Sequence, residues 1–141
     1  MSIRALPLII IAFIFYNVVV FLGGNSPPDQ ILATKIFEVP MLHRDPTARW
    51  VFTWGDLIIL MTMLLLFVEL LKSTYTSAAS LLDHGFSMLV FIASLIEFLM
   101  VKQATSSVFF FIMIACLIDV VAGYTIGIRV ARRDLSIGAD L

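Results

Sequence analysis

The sequence predicts an all-α, polytopic membrane protein: a single membrane domain over residues 1–141, built as a four-transmembrane-helix bundle with a short interfacial helix in its first loop. The chain is 61% hydrophobic and only 13% charged, against about 25% charged in soluble domains, and its mean hydropathy is +1.06. Four apolar runs, at about 4–22, 50–71, 84–101 and 107–128, are each long enough to cross a hydrocarbon core of about 30 Å at about 1.5 Å per residue. No lysine or arginine falls within the core of any run.

The first run follows Arg4 and ends at Gly23-Gly24-Asn25-Ser26. Its apolar core exceeds that of a secretory signal, and a cut after Gly23 or Gly24 would put Phe21 or Leu22 where a small residue is needed, so it reads as a retained helix. The loop 23–49 opens with turn chemistry, because Pro27-Pro28 cannot continue a helix. Over residues 31–42, Ile31, Leu32, Ile36, Phe37 and Val39 recur largely on one side, which predicts the interfacial helix, ended by Pro40. Trp50 and Trp54, one turn apart, mark the level at which the second helix enters the bilayer. After Lys72 the hydroxyl and small residues of a turn lead to Asp83, the expected N-cap of the third helix, and to His84, expected at the solvated interface.

Basic residues set the expected orientation. Arg4, Lys72, Arg129, Arg132 and Arg133 lie on one side, against Lys35, Arg44, Arg49 and Lys102 on the other. Both termini and the tail 129–141 are therefore expected in the cytoplasm and the loop 23–49 outside, in a bacterial cytoplasmic membrane. Arg129, Arg132 and Arg133 form a basic cluster at the inner surface, facing anionic lipid.

Several function classes are disfavoured. Nine basic and ten acidic residues give a net charge of −1, without the basic face a nucleic acid requires. One cysteine, Cys116, excludes an internal disulfide and a two-cysteine redox motif. The two histidines, His43 and His84, fall on opposite sides, and no Cys/His cluster predicts a metal or cofactor. No nucleophile elbow, HExxH or phosphate loop is present, so the chain does not read as an enzyme.

The informative residues are the polar ones inside the spans: Asn17, Asp56, Glu97 and Asp119. Helical rise puts Asn17, Asp56 and Glu97 about 6 to 8 Å to the outer side of centre and Asp119 about 3 Å to the inner side. Glu69 reads as a helix-end acid paired with Lys72 at i+3. Ala115, Asp119, Gly123 and Gly127 recur every four residues, so Asp119 lies on a face of small side chains suited to close helix packing. Ser80, Ser87 and Ser94, spaced by seven residues, and Glu97 make a polar stripe on the third helix, so Asn17, Ser94, Glu97 or water are the groups expected to complete the hydrogen bonds of Asp119.

Three acids without a basic residue at their depth have three readings: interhelical hydrogen-bonding glue, at about 0.6 kcal/mol per pair on average; a proton or ion pathway; or contact with a basic or polar group of another subunit. In size and helix count the chain resembles the small multidrug pumps, but these centre on a membrane glutamate in the first helix, where this sequence has Asn17, and their first loop is shorter. Their activity is not carried over. The expected function is a non-enzymatic accessory or assembly subunit of a larger membrane complex, with other membrane subunits, further copies of itself and the lipid bilayer as partners. The alternative is a small oligomeric proton- or cation-coupled transporter.

Overall fold

The structure, a computed structural model, describes residues 6–75 and 78–139. The expected start of the first span near residue 4, and Arg4 with it, lies outside the described residues. The order of elements is α1 (Ile9–Leu22), α2 (Pro28–Leu32), β1 (Lys35–Pro40), β2 (Arg49–Thr53), α3 (Trp54–Lys72), α4 (Ala78–Met100), a 3-10 turn (Lys102–Ala104) and α5 (Ser107–Ala139). Three helices are long and apolar enough to cross a membrane: α3, α4 from Leu82 and α5. This is consistent with a membrane protein. α1 is equally apolar, but its 14 residues reach only about 21 Å at about 1.5 Å per residue.

The helices run alternately up and down, and α5 packs against each of α1, α3 and α4. Its inward face follows helical periodicity, with Phe109, Ile112, Cys116, Asp119, Val120 and Gly123 buried. Ile9, Tyr16 and Val20 of α1, Ile58 of α3 and Val90 of α4 close the core around it. The outward faces carry Met63, Leu64 and Phe67 on α3, Leu89, Ile92 and Leu99 on α4, and Phe111 and Val121 on α5, an apolar exterior that water would penalise and lipid would not.

The first loop corrects the expectation of an interfacial helix. Only residues 28–32 are helical there, started by Pro28 in the position where a missing N–H costs nothing. The following residues form an antiparallel hairpin, Phe37 opposite Phe52, Glu38 opposite Val51, Val39 opposite Trp50 and Pro40 opposite Arg49. Runs such as Ile-Phe-Glu-Val and Trp-Val-Phe-Thr are β-branched and aromatic, and pairing satisfies both backbones at once. Phe37 stacks on Phe52 with ring centroids 4.8 Å apart, and Trp50 meets Phe52 edge-on at 5.6 Å. Glu38 bonds Lys35 at 3.1 Å and Arg49 at 3.0 Å. Gly24 allows the turn before α2, with φ of +69°, a conformation that side chains disfavour.

The helix limits differ in physically interpretable ways. The second helix begins at Trp54, not near residue 50, because Thr53 and Asp56 form a reciprocal capping box. Trp50 consequently lies in β2. Asp83 is not an N-cap, since α4 has already begun at Ala78. The fourth run does not end as a helix at 128: α5 continues through the expected tail to Ala139 as one helix of 33 residues, about 50 Å long. Arg129, Arg132 and Arg133 are exposed on one face of this extension.

Candidate functional site

The structure distributes the four polar residues of the spans among three places. Asp56 is at the start of α3, where its Oδ2 accepts from Thr53 N and from Thr53 Oγ1, both at 2.9 Å. That is the role of a helix cap. Asn17 and Glu97 are neighbours across the gap between α1 and α4. Asp119 lies at the opposite end of the molecule from the hairpin, beside Ser87, Asp83 and His84 of α4.

The Asn17–Glu97 pair sits in a groove. α1 touches α4 less than it touches α3 or α5, and the seam between α1 and α4 is open at two levels. One level is lined by apolar residues including Pro7, Ile10, Phe86 and Ala93. The other, nearer the hairpin, is lined by Asn17, Phe21, Ala93, Ile96, Glu97 and Val101. Asn17 Nδ2 donates to Phe13 O one turn back at 3.1 Å. Glu97 Oε1 is shielded from solvent and makes no hydrogen bond of good geometry, although the Asn17 side chain lies within reach of the carboxyl. A buried acceptor left in that state costs about 1–3 kcal/mol.

At the opposite end the chain builds a polar cluster whose depth the sequence did not disclose. Glu69 is 2% exposed, not a solvated helix-end acid. Its Oε1 accepts from Leu8 N, at the N-cap of α1, and from Lys72 Nζ at 3.1 Å. Lys72 also donates to Asp83 Oδ1 at 3.3 Å and to Leu6 O at 3.2 Å. One ammonium thereby ties the start of α1, the end of α3 and the first part of α4. The helix-start amides that lack an intrahelical acceptor receive one here from a residue 61 positions away.

His84 is buried against α5 and not at a solvated interface. A Cβ built on Gly123 would stand 2.8 Å from both Cε1 and Nδ1 of His84, and one on Gly127 would stand 3.4 Å from its Nε2. The two glycines form a notch that seats an imidazole, so the small-residue face of Ala115, Gly123 and Gly127 accommodates a side chain as well as a backbone. The Tyr124 ring lies beside it, centroid to centroid 5.2 Å. Asp119, one turn before Gly123, is 2% exposed, and Ser87, its neighbour, 1%. Neither Asp119 Oδ2 nor Ser87 Oγ makes a hydrogen bond. Ser94 instead donates to Phe91 O at 2.8 Å and neighbours Cys116.

Glu69, Asp83 and His84, which the sequence places at helix ends, are thus buried, and the partly exposed Lys72 joins the first two. Among the described residues, no group of three His, Cys, Asp or Glu side chains is arranged to hold a metal ion. Comparison of the chain with protein-family models, with curated proteins and with solved structures finds no match.

Proposed function

We propose that this chain is a non-enzymatic subunit of a larger membrane protein complex, crossing the bilayer four times with α1 as the first span, and that it receives a partner's transmembrane helix in the open seam between α1 and α4. The observation that carries this reading is Glu97 Oε1, a shielded acceptor that makes no hydrogen bond of good geometry, placed with Asn17 in the wall of that seam. In hydrocarbon such a group is stable only when paired. A partner helix bearing a lysine, arginine, serine or asparagine supplies the missing donor, and its apolar side chains fill the level lined by Ile10, Phe86 and Ala93. The basic face of Arg129, Arg132 and Arg133 supports a cytoplasmic C-terminus, with the hairpin outside.

Purification from native membranes in mild detergent, with mass analysis of what co-elutes, tests the reading. A stoichiometric foreign membrane subunit is expected, and Glu97→Leu should release it while leaving the chain folded. A pure homo-oligomer, unchanged by that substitution, would overturn it. That outcome would favour the second reading, proton- or cation-coupled transport by several copies, for which the buried carboxyl of Asp119 speaks.

A further inference from the structure

β1 is exposed along its whole length, and the helix that the hairpin touches most is α3. The two strands form a sheet of their own, whose opposed pairs sort into two faces. Phe37 opposite Phe52 and Val39 opposite Trp50 share one face, and Met41, whose N–H donates to Ala48 O at 3.0 Å, extends it towards the turn. Glu38, Pro40, Arg49 and Val51 share the other, where Glu38 pairs with Lys35 and Arg49. The hairpin is thus amphipathic across its thickness. Phe37, Val39, Met41 and Trp50 are exposed, Leu42 in the turn is fully so, and Phe52 is buried. In water, such an aromatic face on an isolated pair of strands is marginal.

Covalent continuity fixes the level at which this face stands. Thr53 ends β2 and is at once the N-cap of α3, and Trp54 N donates to Thr34 O at 3.2 Å, so the roots of both strands are held against the helix start. No linker lets the hairpin lift away. α3 is long and apolar enough to cross a membrane, and at this same end the last turn of α1 exposes Phe21 and Leu22. The aromatic face therefore continues an apolar exterior suited to lipid. Deep hydrocarbon is closed to it, because a two-stranded sheet has two unpaired edges whose N–H and C=O groups need water or headgroups. The headgroup boundary meets both demands, and it is where tryptophan, an apolar ring with one N–H, is favoured.

We propose that the hairpin lies on the bilayer surface as a lipid-binding platform, with Phe37, Val39 and Trp50 seated at the boundary between phospholipid headgroups and acyl chains and the Glu38 ion pairs turned to water. The occupant of the face is phospholipid, because the face is continuous with the apolar exterior of the helices and its reverse carries the charges. The platform holds the start of α3 at a set depth. It is independent of the seam between α1 and α4.

The test uses the full chain with Trp54→Phe, which leaves Trp50 as the only tryptophan, in phosphatidylcholine nanodiscs. Lipid brominated high on its acyl chains quenches tryptophan at the boundary, and iodide quenches it in water. Trp50 should lose about half its emission to the brominated lipid and much less to iodide. Val39→Glu, on the aromatic face, should shift the emission to the red and reduce the lipid quenching by about twofold or more. Val51→Lys, on the reverse face opposite Glu38, should change neither. Circular dichroism checks the helices of both variants, and the quenching of Trp50 without them decides the matter if Val39→Glu does not fold. A Trp50 quenched by iodide and indifferent to brominated lipid would overturn the proposal and leave the face to a protein partner. So would shielding from both quenchers, the mark of a contact between copies, or equal effects of the two valine substitutions. Partner co-elution through the α1–α4 seam is a separate result.

Discussion

The imidazole of His84 occupies the space that a side chain on Gly123 would need, with ring atoms 2.8 Å from the position of the missing Cβ. The relationship joins α4 to α5 at a point where the obstructing atoms belong to a ring held on several sides, so they cannot simply swing away. Gly123→Ala should therefore destabilise the protein by about 1–3 kcal/mol through overpacking. Gly85, whose Cβ would meet nothing within 4 Å, is the control. Gly85→Ala should be neutral or stabilising by up to about 1 kcal/mol, as expected for a glycine inside a helix. Thermal unfolding in detergent compares the two, and equal effects would remove the steric account.

Lys72 is the common donor for Glu69, Asp83 and Leu6. Lys72→Met should cost about 3 kcal/mol, because it strands two buried carboxylates and does not merely delete a contact. Replacing Glu69 by Leu in the same chain should recover part of the loss. A double-mutant cycle measures the coupling, and strict additivity would show that the pair is not a unit.

At the hairpin end, Tyr16 OH lies 2.8 Å from Gln103 O and 2.7 Å from Ser106 Oγ. Ser106 Oγ in turn accepts from Phe109 N at 3.1 Å, capping α5. Tyr16→Phe keeps the ring packing on Phe109 but takes this donor from Gln103 O and leaves Ser106 Oγ with Phe109 N alone, and should cost about 1–3 kcal/mol. Chemical denaturation should show that loss without a change in helix content.

The hairpin should be acid-sensitive. Lys35 beside it, through a hydrogen bond and its charge, and then Arg49, hold the Glu38 carboxyl below its usual value of 4.5. A group whose folded value is depressed contributes stability above its unfolded value and loses it as pH falls through the folded one. Strand pairing should thus weaken as pH drops below about 4.5, most clearly at low salt because the pairs are exposed. Asp45, lowered by the hydroxyl and the amide of Thr47, affects the connecting loop over a similar range. Hydrogen exchange at residues 37–39 and 50–52 should lose its acid dependence in Glu38→Gln and keep it in Asp45→Asn.

Cysteines placed at Ser26 and Ser136, both exposed, in a Cys116→Ala background report the orientation. An impermeant thiol reagent should label position 26 in intact cells and leave position 136 unlabelled until the membrane is opened. The reverse pattern would invert the proposed topology.

The long apolar helices were legible because thirty ångströms of hydrocarbon demand a composition that nothing else in a sequence imitates. The hairpin was not. Ile31, Leu32, Ile36, Phe37 and Val39 satisfy a helical side as readily as a strand, since so short a run does not separate the two periods. The decisive fact was its pairing with Trp50-Val51-Phe52, a non-local one. Helical rise did separate Asp119 from Glu97 in height, but it said nothing about azimuth, and Ser87, not Ser94, turned out to face the aspartate. Lys72 was legible as a partner of Glu69. That the pair is buried depends on α1 folding over it from more than sixty residues away. His84 was misplaced for the same reason: the notch that receives it lies on α5, and a small-residue spacing does not announce whether a backbone or a ring will fill it.

The clasp at Lys72 also imposes an order on biosynthesis. Leu8 N, at the N-cap of the first helix, and Leu6 O, just before it, receive their partners from residues 69 and 72, made 61 and 66 positions later, and Asp83 follows only when α4 emerges. The first helix must therefore leave the ribosome and meet the membrane with its leading turn open, borrowing hydrogen bonds from interfacial water. Its end is sealed only as the third helix arrives alongside. Until the fourth follows, Lys72 has one carboxylate where the finished protein gives it two, so a chain halted between Tyr75 and Asp83 is only half latched.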